Sequence, residues 1–333
     1  MVKPCLRRRS FALSGAGLAL ALAGCAADDA VVRRPPENRG GVLLTPWLTL
    51  NGGWRVDDAP LRPGRAAGPR LQFLQPVGVA ARGDVVLVAD AAARTLWRLD
   101  RSRDTMAAFA PFTGSVAEQG ASIQLGNDLS AWVALPAEHR VVQYDARGRV
   151  VRQWRDEANA ARPVAVAVPE HRGDVLIGDA ATAQVMVSDP MGRTRDLLGR
   201  GRSAALQSIA AMALGPRGLY VLDRIAQQVV VLGAQGEVLE LIGENQLVQP
   251  RALAVDGSGR VFISDDADQR IKVFRGTRLL AAVGGAGAGP ERFGRIEALA
   301  LDGHLLYVAD SLNARVQVML VTPASMEPAG SAQ

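Results

Sequence analysis

Apolar residues recur along this chain in short runs, each closed by a polar turn. Five segments share one arrangement: an apolar run, a tight Gly or Asp turn, and a second apolar run ending in Asp. They are PVGVAARGDVVLVAD (76–90), PVAVAVPEHRGDVLIGD (163–179), SIAAMALGPRGLYVLD (208–223), PRALAVDGSGRVFISD (250–265) and IEALALDGHLLYVAD (296–310). A degenerate sixth, ASIQLGNDLSAWVAL (121–135), carries Leu135 in place of the Asp. The marker positions 90, 135, 179, 223, 265 and 310 therefore recur every 42 to 45 residues. Five residues past each marker come Thr95, Arg140, Gln184, Gln228, Arg270 and Arg315, each opening a third run such as RVVQYD (140–145) or RIKVF (270–274). A more variable fourth run follows in most copies, as in VVRQW (150–154), VLELIG (238–243) and LLAAVG (279–284). Runs this short, bounded by Gly-rich turns, predict strands. Four strands per repeat of this length predict the blades of a β-propeller, so the expected fold is all-β with six four-stranded blades.

The stretch from Phe293 to Met319 resembles the NHL repeat, through Tyr307-Val308-Ala309-Asp310 and Asn313-Ala314-Arg315-Val316-Gln317-Val318, and GGAGAGPERF (284–293) resembles the loop between NHL blades. The resemblance spans roughly residues 70–320 and implies a fold, not a function, because the family includes scaffolds, binding modules and a few enzymes. Leu135 and Thr95 depart from its pattern. The repeated Asp is expected to end the second strand and to accept backbone N–H bonds from the turn that follows. The last repeat has three clear strands, ending near Val321, so its fourth should come from the N-terminal side; VLLTPWLTL (42–50) and GGWRV (52–56) are the candidates. Closure by an N-terminal strand would leave no exposed blade edge there.

The first 24 residues read as an address. A basic start, MVKPCLRRRS, leads into FALSGAGLALALA (11–23), which is too short to anchor in a bilayer. Leu22-Ala23-Gly24-Cys25 resembles the bacterial lipobox, which implies cleavage before Cys25 and acylation of its thiol. Arg8-Arg9-Ser10-Phe11 resembles the twin-arginine export motif, and a basic start also serves the general route, so both routes stay open. Ala26 lacks the Asp that retains lipoproteins at the inner membrane, so an outer-membrane lipoprotein facing the periplasm is expected. Residues 25–41 read as the lipidated Cys and a flexible tether, 42–321 as the propeller, and 322–333 as a disordered tail.

Charge and cysteine content narrow the chemistry. The formal charge of +5 includes Lys3, Arg7, Arg8 and Arg9 of the leader; without those four, 34 Lys and Arg face 33 Asp and Glu. A near-neutral mature chain gives no footprint for nucleic acid. Both cysteines, Cys5 and Cys25, precede the propeller, which leaves it no thiolate metal site.

Propeller ligands are expected at the channel mouth, where the position after the repeat's Pro reads Val77, Ser122, Val164, Ile209, Arg251 and Glu297. Arg251, Glu297 and Ser122 are thus the candidate ligand contacts, and Arg251 and Glu297, on adjacent blades, are placed to pair. His139, His171 and His304 fall at non-equivalent turns, so no shared catalytic or metal site is expected from them. Asp265-Asp266-Ala267-Asp268 supplies too few oxygens in the wrong setting for a calcium loop. The glycines at 199–201 and 284–289 are followed by strands, not by the helix a phosphate loop requires. No catalytic residue and no cofactor is assigned. The expected function is a non-catalytic interaction or scaffold module that binds envelope proteins. The alternatives are a hydrolase or lyase, or a small-ligand sensor, working at the channel mouth; an enzyme would need Glu297, Arg251, Asp256 and Asp302 to converge on one pocket.

Overall fold

Strands covered on both faces need continuous apolar runs, and strands with one wet face need alternation. Both patterns occur within each blade. Second strands such as Val85–Asp90, Gly218–Asp223 and Arg260–Asp265 are buried almost throughout. Outer strands such as Val238–Ile242 alternate, with Leu239 and Leu241 exposed. A computed structural model describes residues 43–56, 69–113, 120–155, 161–169, 173–189, 191–199 and 206–323. The expected export signal, Cys25 and the expected tether, His171 and the tail beyond 323 lie outside the described residues.

Within them the chain forms six sheets, one per repeat, each built on four antiparallel strands. Their innermost strands, Pro76–Arg82, Ile123–Leu125, Pro163–Ala167, Ala211–Gly215, Pro250–Val255 and Ile296–Asp302, neighbour one another in chain order and close back on the first. Each inner strand runs from the linker face of the ring to the hairpin face. The turns between second and third strands return to the linker face.

The ring is closed by the N-terminal strand Leu44–Leu50. It pairs antiparallel with Arg315–Val321, with Leu44 opposite Val321 and Leu50 opposite Val316. Leu44 is fully buried against Phe262, Ile271 and Phe293, so the strand is held by packing as well as by its ladder. The second closure candidate does something else. Gly52–Arg55 pairs in parallel with the outer strand of the first blade, Thr105–Pro111, and antiparallel with Arg70–Gln72, making that blade six-stranded. The chain thus passes from the last blade to the outer edge of the first and straps the junction between them.

The repeated Asp does more than the sequence suggested. Asp90, Asp179, Asp223, Asp265 and Asp310 are all buried. Each caps the turn after its strand and also holds the linker entering its own blade. Asp90 accepts N–H bonds from Leu74 and Gln75 on one side and from Ala93 on the other. Asp265 accepts from Val248, Gln249 and Ala267, and pairs with Lys272 at 2.7 Å. Asp310 holds Gly294 and Arg295 and meets Arg315 at 3.0 Å. In the degenerate blade, where Leu135 replaces the Asp, a short 3-10 turn (Pro136–Glu138) follows the strand, as Ser311–Asn313 does after Asp310. The residue before every third strand is left-handed without being glycine: Arg94, His139, Ala183, Gln227, Gln269 and Ala314 have φ between 50° and 55°. In the five blades that carry the Asp, its network holds these turns against the cost of that conformation.

Candidate functional site

The inner strands carry small side chains because six of them crowd around one axis. Ala81, Ala213, Ala254 and Ala300 are typical of the wall of the central channel, which encloses about 230 Å³. Val164, Ser122, Arg251 and Glu297 line it as expected. Val77 and Ile209 do not: both are buried, Ile209 packs between blades, and Ala210 takes its place on the channel.

Arg251 and Glu297 pair across adjacent blades, Nη1 to Oε2 at 3.2 Å. The pair belongs to a larger cluster that sequence spacing did not reveal. Arg251 Nε meets Asp266 Oδ2 at 2.5 Å, and Arg295 Nε meets Glu297 Oε1 at 3.5 Å. Ser311 Oγ donates to the same Glu297 oxygen at 3.5 Å. Burial pushes the Glu297 carboxyl above its ordinary range, against the opposing pull of Arg251 and Arg295. Asp266 keeps one oxygen, Oδ1, buried without a hydrogen-bond partner.

The mouth is also crossed by the chain. A Cβ on Gly120 would lie 2.0 Å from the carbonyl oxygen of Glu297 in the sixth blade. Ala121 donates its N–H to Val77 O in the first blade at 2.7 Å. The Ser122 hydroxyl accepts the N–H of Val166 in the third blade at 3.0 Å. The segment Gly120–Ser122 therefore spans the mouth from blade six to blade three, and only glycine fits at its first position. Ser122 serves as an interblade tie.

The four residues an enzyme would have brought together do not meet. Arg251 and Glu297 stand at the mouth. Asp256 lies beyond the far end of its strand, bonded to Arg260 and to the Ser258 hydroxyl. Asp302 accepts the Gly83 N–H at 2.8 Å and links the sixth blade to the first. His139 is a left-handed turn residue whose Nδ1 is 2.9 Å from Ala161 O, and His304 sits in a hairpin turn. The carboxylates of 265–268 are engaged by protein donors: Asp265 by Lys272 and backbone, Asp266 by Arg251, Asp268 by the Arg270 N–H. Among the described residues no group of three or more His, Cys, Asp or Glu is placed to hold a metal ion. The glycine linker 284–289 is held at its carbonyls by Arg315 and Asn313, so it is a blade connection.

Six four-stranded repeats closed into a ring define a six-bladed β-propeller. Solved structures agree. A virginiamycin B lyase from Staphylococcus aureus aligns with a TM-score of 0.55 at 10% identity, covering 75% of this chain and 96% of the lyase. A streptogramin B lyase aligns at 0.53 and 10% identity, covering 75% and 94%. A catalytically inactive histidine-to-alanine virginiamycin B lyase from Staphylococcus aureus, with quinupristin, aligns at 0.54 and 10% identity, covering 74% and 95%. At that identity the likeness is one of fold. No protein-family model matches the chain, and no curated protein matches it in sequence.

Proposed function

We propose that this protein is a lipid-anchored envelope propeller that acts as a non-catalytic interaction or scaffold module, attached through Cys25 to the outer membrane and facing the periplasm. The observation that carries the reading is how the channel's polar groups are used. Arg251 and Glu297 are spent on each other and on Asp266 and Arg295, beneath a strap of the chain's own backbone. The remaining wall is mainly Ala, Val and Leu. A rigid ring with many loops suits binding at its faces. The address supports the location: a basic start, a short apolar run and a cysteine at its end.

Labelling growing cells with a radioactive fatty acid tests the anchor. The wild-type protein is expected to take up label and to fractionate with outer membranes, and Cys25→Ser to do neither. An unlabelled wild-type protein would remove the anchor from the reading.

The second reading, a lyase or small-ligand sensor at the channel, draws on the lyases among the structural neighbours. One of those lyases is inactive as a histidine-to-alanine variant. Here, neither His139 nor His304 lines the channel. Incubation with quinupristin, followed by chromatography, is expected to return the compound unchanged. A new product would favour the lyase reading.

A further inference from the structure

The outer strand of a blade has one edge turned away from its sheet, where N–H and C=O groups can pair with a further strand. The chain itself uses one such edge: Gly52–Arg55 joins Thr105–Pro111 of the first blade. The remaining edges among the described residues, the fifth blade's excepted, each carry a feature that discourages pairing. Arg70–Gln72 is three residues long, and Leu44–Leu50 contains Pro46. The second, third and fourth blades place a charge on the outer strand, opposite the fourth residue of the third strand. Arg152 stands opposite Gln143, Asp196 opposite Val187 and Glu240 opposite Val231. The fifth blade has Ala281 there, opposite Val273. Its outer strand, Arg278–Gly284, continues past the arginine as Leu-Leu-Ala-Ala-Val-Gly, without charge or proline. All four of these outer strands have a bulge near their start; in the fifth blade it falls at Leu280 and leaves Ala281–Gly284 in regular register.

The phase of the ladder fixes which groups face outward. Gly285 donates its N–H to Gln269 O, so Val283 and Ala281 turn their N–H and C=O toward the third strand. Ala282 and Gly284 turn theirs out of the blade. Ala282 is exposed, and its outward groups meet no strand among the described residues. Gly284 O has Arg292 Nη1 at 3.5 Å.

This edge is complementary to itself. With Ala282 opposite its own counterpart in an antiparallel pair, Ala281 of one copy meets Val283 of the other, and Leu280 meets Gly284. Each opposed pair is small or apolar, and no charge lies within the paired stretch. The same pairing in the second, third or fourth blade would set two Arg152, two Asp196 or two Glu240 diagonally across the junction, where like charges repel. The absence of charge also leaves the fifth edge nothing with which to select a charged partner strand.

We infer that this protein self-associates through the outer strand of its fifth blade. Two copies pair Leu280–Gly284 antiparallel about a two-fold axis at Ala282 and join their blades into one eight-stranded sheet. A two-fold contact uses the same edge on both copies, so the assembly stops at two. The inference is independent of the lipid anchor and of the interaction-module reading.

A thiol at the axis tests it. Cys5 and Cys25 both precede the propeller. Ala282→Cys therefore puts a single propeller thiol opposite its counterpart, at a separation a disulfide can span. Mild oxidation of the purified full chain is expected to give a dimer on non-reducing gels, with mass spectrometry placing the disulfide at position 282 of both copies. The unsubstituted chain controls for Cys25. Leu241→Cys, at the equivalent outward position of the fourth blade, should give far less dimer. Sedimentation velocity of the unsubstituted chain should show twice the monomer mass as concentration rises. Ala282→Lys sets two ammonium groups face to face, and Ala282→Pro removes an N–H that its own blade does not use. Each should raise the concentration needed for dimer formation about tenfold or more, with the circular dichroism of the blades unchanged. An unsubstituted chain that stays monomeric throughout would overturn the inference. So would equal disulfide yields at positions 282 and 241, or a dimer that neither Ala282→Lys nor Ala282→Pro weakens.

Discussion

At the residue scale, the buried aspartates decide how the repeat is held. Asp265 loses solvation on burial, yet the Lys272 ammonium and the N–H groups of Val248, Gln249 and Ala267 hold its carboxyl below the ordinary range. Asp265→Ala would leave Lys272 buried without its partner, a change worth about 3–5 kcal/mol. Urea unfolding is expected to show that loss, whereas Asp268→Ala, at a half-exposed position 3.9 Å from the same ammonium, should change little. The same carboxylates set the acid limit. Asp256 is pushed up by burial and pulled down further by Ser258 and Arg260, so its folded value lies below 3.8. A lowered value gives stability that is complete above 3.8 and is lost as pH falls through the folded value. The urea midpoint of Asp256→Asn should therefore fall less on acidification than that of the wild type. Glu297 has the opposite sign. Its folded value is raised above 4.5, so its contribution is complete below 4.5 and is lost as pH rises through the folded value. The midpoint of Glu297→Gln is accordingly expected to decline less than that of the wild type over that rise.

At the scale of elements, two segments hold the ring together. The closing strand buries Leu44 completely. Leu44→Ala should cost about 2–5 kcal/mol, read as a lower thermal midpoint with the circular dichroism of the blades intact. The strap Gly120–Ser122 has no room at its first residue. Gly120→Ala would drive a methyl into the Glu297 carbonyl, so a loss of about 1–3 kcal/mol in urea unfolding is expected. The repeat spacing made the strands legible, and their boundaries agree closely with those read from the chain. The strap was not legible. Its signal is only a glycine before a degenerate repeat, and glycine marks close approach without naming what approaches. The six-stranded first blade was missed for a similar reason. GGWRV reads as a strand, but nothing in its side chains says which edge it will join.

At the scale of the molecule, the ring presents two different faces. The hairpin face receives the chain from its N-terminal side, and the linker face carries the mouth. Arg251→Ala should lower stability. Such a variant leaves Glu297 and Asp266 without their shared guanidinium, so a loss of about 3–5 kcal/mol is expected. Urea unfolding of the purified variant would check the loss. The Arg251–Glu297 pairing could be anticipated from equivalent positions on adjacent blades. The contributions of Asp266, Arg295 and Ser311 could not, because they come from turns whose side chains are aimed only once the ring has formed.

The sequence by itself determined the local periods: where strands begin and end, that they come in fours, that there are six sets, and that an N-terminal strand must complete the last. Those features follow from apolar runs and turn residues, which act over a few neighbours and so leave a readable pattern. It also offers Cys25, at the end of a short apolar run behind a basic start, as the residue that the proposed lipid attachment would use. Tertiary structure alone decided which inward residues reach the channel and what crosses its mouth. These depend on ring closure, which brings positions hundreds of residues apart to one face without leaving any mark on their immediate sequence.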